Sequence, residues 1–434
     1  MSFLRNYLTY NSGNECPDEF HMWVALSLLS STVGPKVYVD RGYFTIYTNL
    51  YVTLVGLQGS RKTTAKDIGF DLIRDALGTE HQHSSECESK EFICKHLANP
   101  LQQKSYKDPA GKQHLYTPYS IYATELKNFL SINPVVMVDF LTTIYDRTGK
   151  IYEGKTKNKG EDKIVSPFIN FLACETPEWL SARLKETVIS GGFCRRMIFV
   201  YSTEAKAPVA FPKKTPEAVE AYRACVAWLR EIKDVQGEFT WGEGTKEWFE
   251  QWYNKHKAQK HTNSFMEGWA SSKDAQLLKV AMGVSLSESK MKVLELNHFL
   301  LSLEIIDRLE VNLPTLIASI GRNELAQPTM KILDIIKANN GIVAEKVVRR
   351  DTLNVFNGSE FMSAIYHLTS TDQLIKRKMR MKGETVDREY LMLPEISQQI
   401  DRKMADLNKP VSAASSAPPP SPLPADKSKK DSSP

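Results

Sequence analysis

The residue types best placed to do chemistry fall in one short run, Gly56-Leu57-Gln58-Gly59-Ser60-Arg61-Lys62-Thr63-Thr64. A β-prone stretch, Asn49 to Val55, leads into it. A helical pattern from Lys62 to Leu77 leads out, with Ala65, Ile68, Leu72, Ile73 and Ala76 on helical spacing and Gly78 as the stop. Strand, glycine-containing turn and helix start, in that order, are the context of a phosphate-binding loop. Glycines let backbone N–H groups turn inward on an anion at a helix N-terminus, where the macrodipole favours negative charge. On this reading Gly56, Gly59, Ser60, Arg61, Lys62, Thr63 and Thr64 surround the phosphates of ATP; Lys62 reaches the β- and γ-phosphates and the Thr63 hydroxyl holds Mg2+. The usual pattern has glycine directly before the lysine. Arg61 stands there instead, and its Cβ narrows the backbone conformations open to the loop. The plainer reading is a turn beside a basic helix start; strand, spacing and helix together favour the phosphate loop.

Hydrolysis needs an acidic residue at the end of a neighbouring strand to hold Mg2+ or orient water, and often a cation for the γ-phosphate. Glu125 ends the run Ser120-Ile121-Tyr122-Ala123-Thr124-Glu125 and precedes a helical Leu126–Leu130 segment. Asp139 ends Val135-Val136-Met137-Val138-Asp139, which also reads as a buried helix carrying Phe140, Leu141 and Ile144. Glu125 is preferred, with Asp139 kept open. Further on, Phe171 to Glu175 reads as a strand passing into a helix at Thr176-Pro177. Thr176 is a good N-cap there, and a polar strand end beside a phosphate loop also positions attacking water. Then Gly191-Gly192-Phe193-Cys194-Arg195-Arg196 places two arginines ahead of the apolar run Met197–Tyr201. Arginines so placed are usually solvated, but two of them after Gly-Gly also suit a finger that reaches a neighbour's γ-phosphate.

In this order the elements resemble the AAA+ replicative helicases, most closely the phage and mobile-element replication helicases related to the minichromosome-maintenance and superfamily 3 motors. In that group the residue before the loop lysine need not be glycine. The resemblance covers residues 20–400 and is motif-specific near the loop and near Gly191–Arg196. It implies Lys62 and Thr63 as the Walker A pair, Glu125 as the Walker B glutamate, Thr176 as sensor 1, and Arg195 or Arg196 as the finger. Lys273 sits where a sensor 2 residue starts a lid helix, although arginine is commoner there. Thr124 replaces the aspartate that usually precedes the Walker B glutamate, which makes metal contact weaker or routes it through water. The resemblance further implies ATP and Mg2+ as cofactors, single-stranded or forked DNA as substrate, a homo-oligomeric ring (a hexamer), and a primase or single-strand-binding protein as a partner.

A motor on DNA must grip the strand. Lys155, Lys157 and Lys159 alternate within Ile151–Gly160, so an extended hairpin presents all three on one side; a solvated loop is an equal alternative. Lys376, Lys378, Arg380 and Lys382 repeat the pattern near the C-terminus, giving a cationic strand face suited to phosphate contact. His81, His83, Cys87, Cys94 and His96 match no strong zinc spacing, and residues 84–99 read better as a helix capped by serine.

These side chains need elements to hold them. Apolar strands separated by helices over the first 200 residues indicate a parallel α/β core of the P-loop NTPase type, residues 1–204. Prolines at 208, 212 and 216 mark a connector to a helical lid, 205–326. Helix, helix and hairpin over 327–398 outline a winged helix. From 399 the chain is read as a tail, and from Pro410 it carries seven of the 21 prolines with too little apolar surface to fold. With 434 residues, two to four domains are expected. Hydrophobic residues at 42% exclude a collagenous or wholly disordered chain. The longest apolar run, Met22 to Val33, is broken by serines, so no membrane span is expected. The net charge of +5 permits nucleic-acid binding without requiring it. Six scattered cysteines read as reduced thiols, and the N-terminus lacks a signal-peptide pattern, so a cytoplasmic location is expected. The alternatives to a helicase are a non-translocating ATPase switch, such as a helicase loader or defence ATPase, and a winged-helix DNA-binding regulator with a degenerate nucleotide site.

Overall fold

The computed structural model describes residues 2–407 apart from 109, 131–133, 157–159, 184–191, 194, 203–205, 260–263, 321–325, 354–356, 382 and 384. The chain divides into two compact units, Met1–Arg322 and Asn323–Pro434.

In the first unit the strands up to Tyr201 are β1 (Val37–Asp40), β2 (Thr45–Tyr47), β3 (Tyr51–Val55), β4 (Lys104–Lys107), β5 (Gln113–Ala123), β6 (Ile151–Thr156), β7 (Gly160–Val165), β8 (Pro167–Glu175) and β9 (Met197–Tyr201). The helices between them are α1 (Phe3–Tyr10), α2 (Asp18–Val33), α3 (Lys62–Leu77), α4 (Lys90–Ala98), α5 (Leu126–Leu130), α6 (Pro134–Tyr145) and α7 (Pro177–Arg183). Five strands form one sheet in the order β4-β5-β8-β3-β9. Pairing is parallel throughout except for the antiparallel edge strand β4. Every residue of β3 and β8 is buried, as expected for central strands covered on both faces. That double burial explains why their sequences are unbroken apolar runs rather than alternating ones.

The apolar run at Met22–Val33 is the core helix α2, buried on nearly all sides. Its serines are satisfied within the core: Ser27 Oγ donates to the Trp23 carbonyl at 2.9 Å, and Ser30 Oγ lies 2.6 Å from the Thr48 carbonyl and 2.8 Å from Asn170 Oδ1. The expected helix at residues 62–77 and its glycine stop are observed as α3 and Gly78. Helices at Pro216–Ile232, Thr245–Lys257, Ser264–Glu288 and Leu296–Ile320 follow. Leu229, Leu277, Met282, Phe299 and Leu309 on these helices join the same hydrophobic cluster as Val52, Leu54 and Phe171 of the sheet. The segment read as a lid therefore shares its core with the sheet. Among the described residues, no helix is long and apolar enough to cross a membrane.

The second unit has its own core, which includes Ile332, Ile336, Val348, Phe361, Ile365, Leu368 and Leu391. Helix Ala326–Ala338 ends where Asn340 and Gly341 take positive φ angles of 58° and 80°. Strand Ile342–Ala344 and helices Glu345–Thr352 and Gly358–Ser370 come next, followed by a hairpin of Ile375–Met379 with Arg388–Met392. Asn357 caps the helix at Gly358 with a full capping box to Glu360. The strand at 342–344 and the helix at 345–352 went unread in the sequence. The first has only three residues, and the second has two apolar residues, Val347 and Val348, so neither carries a period. A final helix, Pro394–Leu407, runs past the boundary at 398 that composition indicated.

Two buried histidines give the first unit an acid-sensitive core. Burial pulls His21 and His81 down to about 3. The unfolded chain binds protons at its ordinary histidine pKa of about 6.5, so stability is full above that value and falls as pH drops towards about 3. The urea midpoint is expected to fall between about pH 7 and pH 5. His21→Leu and His81→Leu should each flatten that slope; slopes equal to the parent's would rule out these groups as its source.

Candidate functional site

The loop 56–62 lies at the C-terminal end of β3, and its turn is set by backbone close approach. A Cβ on Gly56 would sit 2.6 Å from Ser60 Oγ and 3.3 Å from the Ser202 carbonyl, and Gly59 has a φ of 83°. Arg61, where the sequence pattern asks for glycine, adopts the left-handed conformation at φ 61°, ψ 21°. The backbone thus makes the turn a glycine would make, at the strain cost of a side chain in the left-handed region. Outside contacts hold Arg61 there. Its Nε donates to Glu15 Oε2 at 2.9 Å, Glu15 Oε1 accepts from the Val209 N–H at 2.8 Å, and Cys16 Sγ lies 3.5 Å from the Arg61 carbonyl.

Helix α3 begins at Lys62 with no side-chain cap and no acidic residue in its first turn, so its leading N–H groups and positive dipole end stay available to an anion. The Lys62 ammonium is buried and donates to the carbonyls of Gly56 (2.6 Å) and Leu57 (2.7 Å) and to Ser60 Oγ (3.2 Å). Burial lowers its pKa, opposed by Cys174, Glu175, Glu178 and Glu125 nearby. Beside the loop, a cleft of about 430 Å³ is lined by residues 57–61 together with Glu15, Pro17, Ser202, Lys206 and Pro208. The residues present fit Mg2+ with a polyphosphate: an ammonium, helix-start donors, the Thr63 hydroxyl and two strand-end carboxylates. Thr63 and Thr64 lie in the first turn of α3, and Thr63 hydrogen-bonds the buried Cys174 thiol.

Two carboxylates close the site from neighbouring strands. Glu125 follows β5, with Thr124 between. It is partly exposed and contacts Lys127 Nζ at 3.0 Å and Asn128 Nδ2 at 3.1 Å. Glu175, at the end of β8, is a residue the sequence reading passed over. It is only 3% exposed. Its Oε1 accepts from the Thr176 N–H at 2.9 Å and its Oε2 from the Lys127 N–H at 2.8 Å, while its carbonyl accepts from the Gly56 N–H at 3.3 Å. Burial raises its pKa against those two hydrogen bonds. Glu175 therefore joins three segments: the loop, β8 and the start of α5. Thr176 caps α7, its Oγ1 accepting from the Trp179 N–H at 3.4 Å, with Pro177 first in the helix as the sequence indicated. Asp139 is exposed in the middle of α6, which places it in a helix and away from any strand end.

The arginines sit elsewhere. Arg195 and Arg196 precede β9, whose register with β3 pairs Tyr51 with Met197 and Val55 with Tyr201. In parallel strands this puts them at the edge opposite the loop, about 20 Å away at ~3.3 Å per residue. Arg196 is engaged within the chain. It pairs with Asp146, donates to the Gly192 carbonyl at 2.7 Å and lies over the Tyr145 ring at 5.8 Å. The Arg195 side chain is exposed, and its carbonyl accepts from Ser272 Oγ at 2.7 Å. Lys273 is buried between Asp307 (3.1 Å) and Glu310 (2.8 Å), where it ties helix Ser264–Glu288 to helix Leu296–Ile320.

The expected hairpin at 151–165 exists as antiparallel β6–β7 with Lys155 in β6; Lys157 and Lys159 lie outside the described residues. In the second unit Lys376 and Lys378 alternate on the exposed face of their strand, and Arg380 follows it; Lys382 lies outside the described residues. Part of this charge is neutralised: Lys376 pairs with Glu345 (2.7 Å) and Glu389 (2.9 Å), and Arg380 with Asp387 (3.1 Å). His81 Nε2 lies 3.1 Å from the Tyr122 hydroxyl, and Cys94 is buried in α4, whose N-cap is Ser89. Among the described residues, no three His, Cys, Asp or Glu side chains converge on a metal position. Comparison with known proteins finds no matching family model and no curated protein of similar sequence.

The strain at Arg61 is testable by denaturant unfolding. Arg61→Ala keeps the Cβ and loses a half-exposed ion pair, a change of less than about 1 kcal/mol. Arg61→Gly removes the left-handed penalty, and after allowing for the entropy of the unfolded glycine it should be more stable than Arg61→Ala by about 1 kcal/mol. Equal stabilities would mean that the loop is not held in this conformation in solution.

Proposed function

We propose that the chain is an Mg·ATP hydrolase that drives strand movement on DNA, acting as a homo-oligomeric ring in DNA replication of a phage or mobile element. The observation that carries this reading is Lys62. A buried ammonium is held by the carbonyls of a tight loop at an uncapped helix start, and two carboxylates lie at the ends of neighbouring parallel strands. Phosphate oxygens exchange for the Gly56 and Leu57 carbonyls as acceptors of the Lys62 protons, and the N–H groups of α3 complete the cradle. Mg2+, when bound, neutralises phosphate charge. The Thr63 hydroxyl and the Glu125 carboxylate are the residues that would hold it, and Glu125, partly exposed and paired with Lys127, orients and deprotonates water. Glu175 acts as a positioning residue, because its oxygens are already committed to backbone donors. The distance from Arg195 to its own loop leaves it only a neighbour's site to complete. Its exposure supports that role, and the ties on Arg196 make Arg196 the anchor. The order of elements in the second unit supports a winged helix whose exposed Lys378 and neighbouring cations contact phosphates. The pairing of Lys376 and Arg380 with carboxylates favours, as a second reading, a non-translocating ATPase switch. Strand displacement on forked DNA separates the two.

Lys62→Ala should lower Mg·ATP turnover and strand displacement by 100-fold or more. Glu125→Gln should lower turnover by about 100-fold while keeping calorimetric Mg·ATP affinity, the usual size of a general-base contribution. Absence of Mg·ATP turnover in the parent chain would end the hydrolase reading, and normal turnover in Lys62→Ala would end the assignment of this loop as its site. Arg195→Ala should lose turnover yet bind nucleotide. Mixed with Lys62→Ala subunits, it should regain part of the activity, since each variant supplies what the other lacks. No recovery in mixed rings would exclude action across subunits.

A further inference from the structure

At the sheet edge opposite the loop, a cavity of about 650 Å³ opens beneath the starts of β5 and β8. Its walls come from the end of α2, residues 77–82 after α3, strand β4 and residues 233–236. That volume is in the range of small-molecule sites. Four lysines line it, Lys36, Lys104, Lys107 and Lys233, against two carboxylates, Glu80 and Asp234. Lys36 Nζ donates to the Lys233 carbonyl and Lys104 Nζ to the Glu80 carbonyl, while Lys233 Nζ contacts both Glu80 oxygens at 3.0 Å. Burial, with Lys104 and Lys233 close by, brings Lys36 down to about 8. An added anion would relieve this crowding of ammonium groups.

The wall is also aromatic. Tyr106 and Tyr116 meet edge to face with ring centroids 5.9 Å apart. Two polar atoms of lining residues have no hydrogen-bond partner: the Nδ2 donor of Asn170, a residue only 3% exposed, and the Oε1 acceptor of Gln82. Buried polar groups left unpaired in this way are uncommon and ask for a partner.

We propose that this cavity binds a nucleoside monophosphate or a closely similar flat-ringed anion. The phosphate lies against Lys36 and Lys104 and the ring against Tyr116, on the side of the cavity that Asn170 and Gln82 line. The proposal is independent of the phosphate loop, which lies at the other edge of the sheet. The test is calorimetric titration of the full-length Lys62→Ala chain, whose loop is disabled, with AMP, CMP, GMP and UMP, with inorganic phosphate, and with a short single-stranded oligonucleotide. At least one monophosphate should bind one to one, with inorganic phosphate about tenfold weaker or worse. The pair Lys36→Met and Lys104→Met should cost at least tenfold in affinity. If that pair fails to fold, Ser105→Trp, at an exposed position of the cavity wall, should block binding without disturbing the core. The proposal is overturned if no monophosphate binds, if phosphate alone binds as tightly, if Ser105→Trp binds unchanged, or if only the oligonucleotide binds and loses affinity in these variants. ATP turnover of the parent chain is measured separately, so neither reading falls with the other.

Discussion

The parallel register of β3 with β8 and β9 governs where every reactive group lies. Because β3 and β8 are buried along their whole length, they must be covered on both faces, and the connections between them return each strand in the same direction. Residues that follow the strands, Gly56, Glu125 and Thr176, gather at one edge with Glu175, and residues that precede them gather at the other. Lys62 and the strand-end carboxylates thus share a site, while Arg195 and Arg196 are carried away from it. The cavity bounded by Lys36, Lys104 and Asn170 belongs to the far edge for the same reason.

At the loop, local preference and tertiary demand conflict, and the tertiary demand prevails. A left-handed arginine is unfavourable, yet Gly59 before it, the Glu15 ion pair and the start of α3 after it leave no other route. Strain kept in place at such a point fits a functional role more readily than a purely structural one. Glu175 shows the complementary tactic. Two backbone N–H groups hold a buried carboxylate in one position, and with its carbonyl on the Gly56 N–H the residue ties the loop, β8 and α5 together.

The cations away from the loop differ in how firmly they are held. Lys273 is buried between two carboxylates, and removing both would strand a buried charge. Lys376 and Arg380 are paired at the surface, where such pairs contribute at most about 1 kcal/mol.

What could be read from the chain alone was local. β3, α3, β8 and β9 stood out because apolar runs, Gly78 and Pro177 mark themselves within a few residues, whereas the neighbours of Asp139 read both as a strand end and as a buried helix. The α/β class and the separation of a C-terminal helix-and-hairpin unit followed from the same patterns. Glu175 could not be found this way. Its hydrogen bond to the Lys127 N–H joins residues 48 positions apart, and in sequence it is only a glutamate before a helix cap. Nor could the ion pairs of Arg196 and Lys273, or the joining of four late helices to the sheet's core, be read in advance, because each depends on partners brought together by packing. Backbone preference and hydrophobic period are properties of short segments; burial, pairing and the edge to which a side chain is carried exist only once distant segments share one interior.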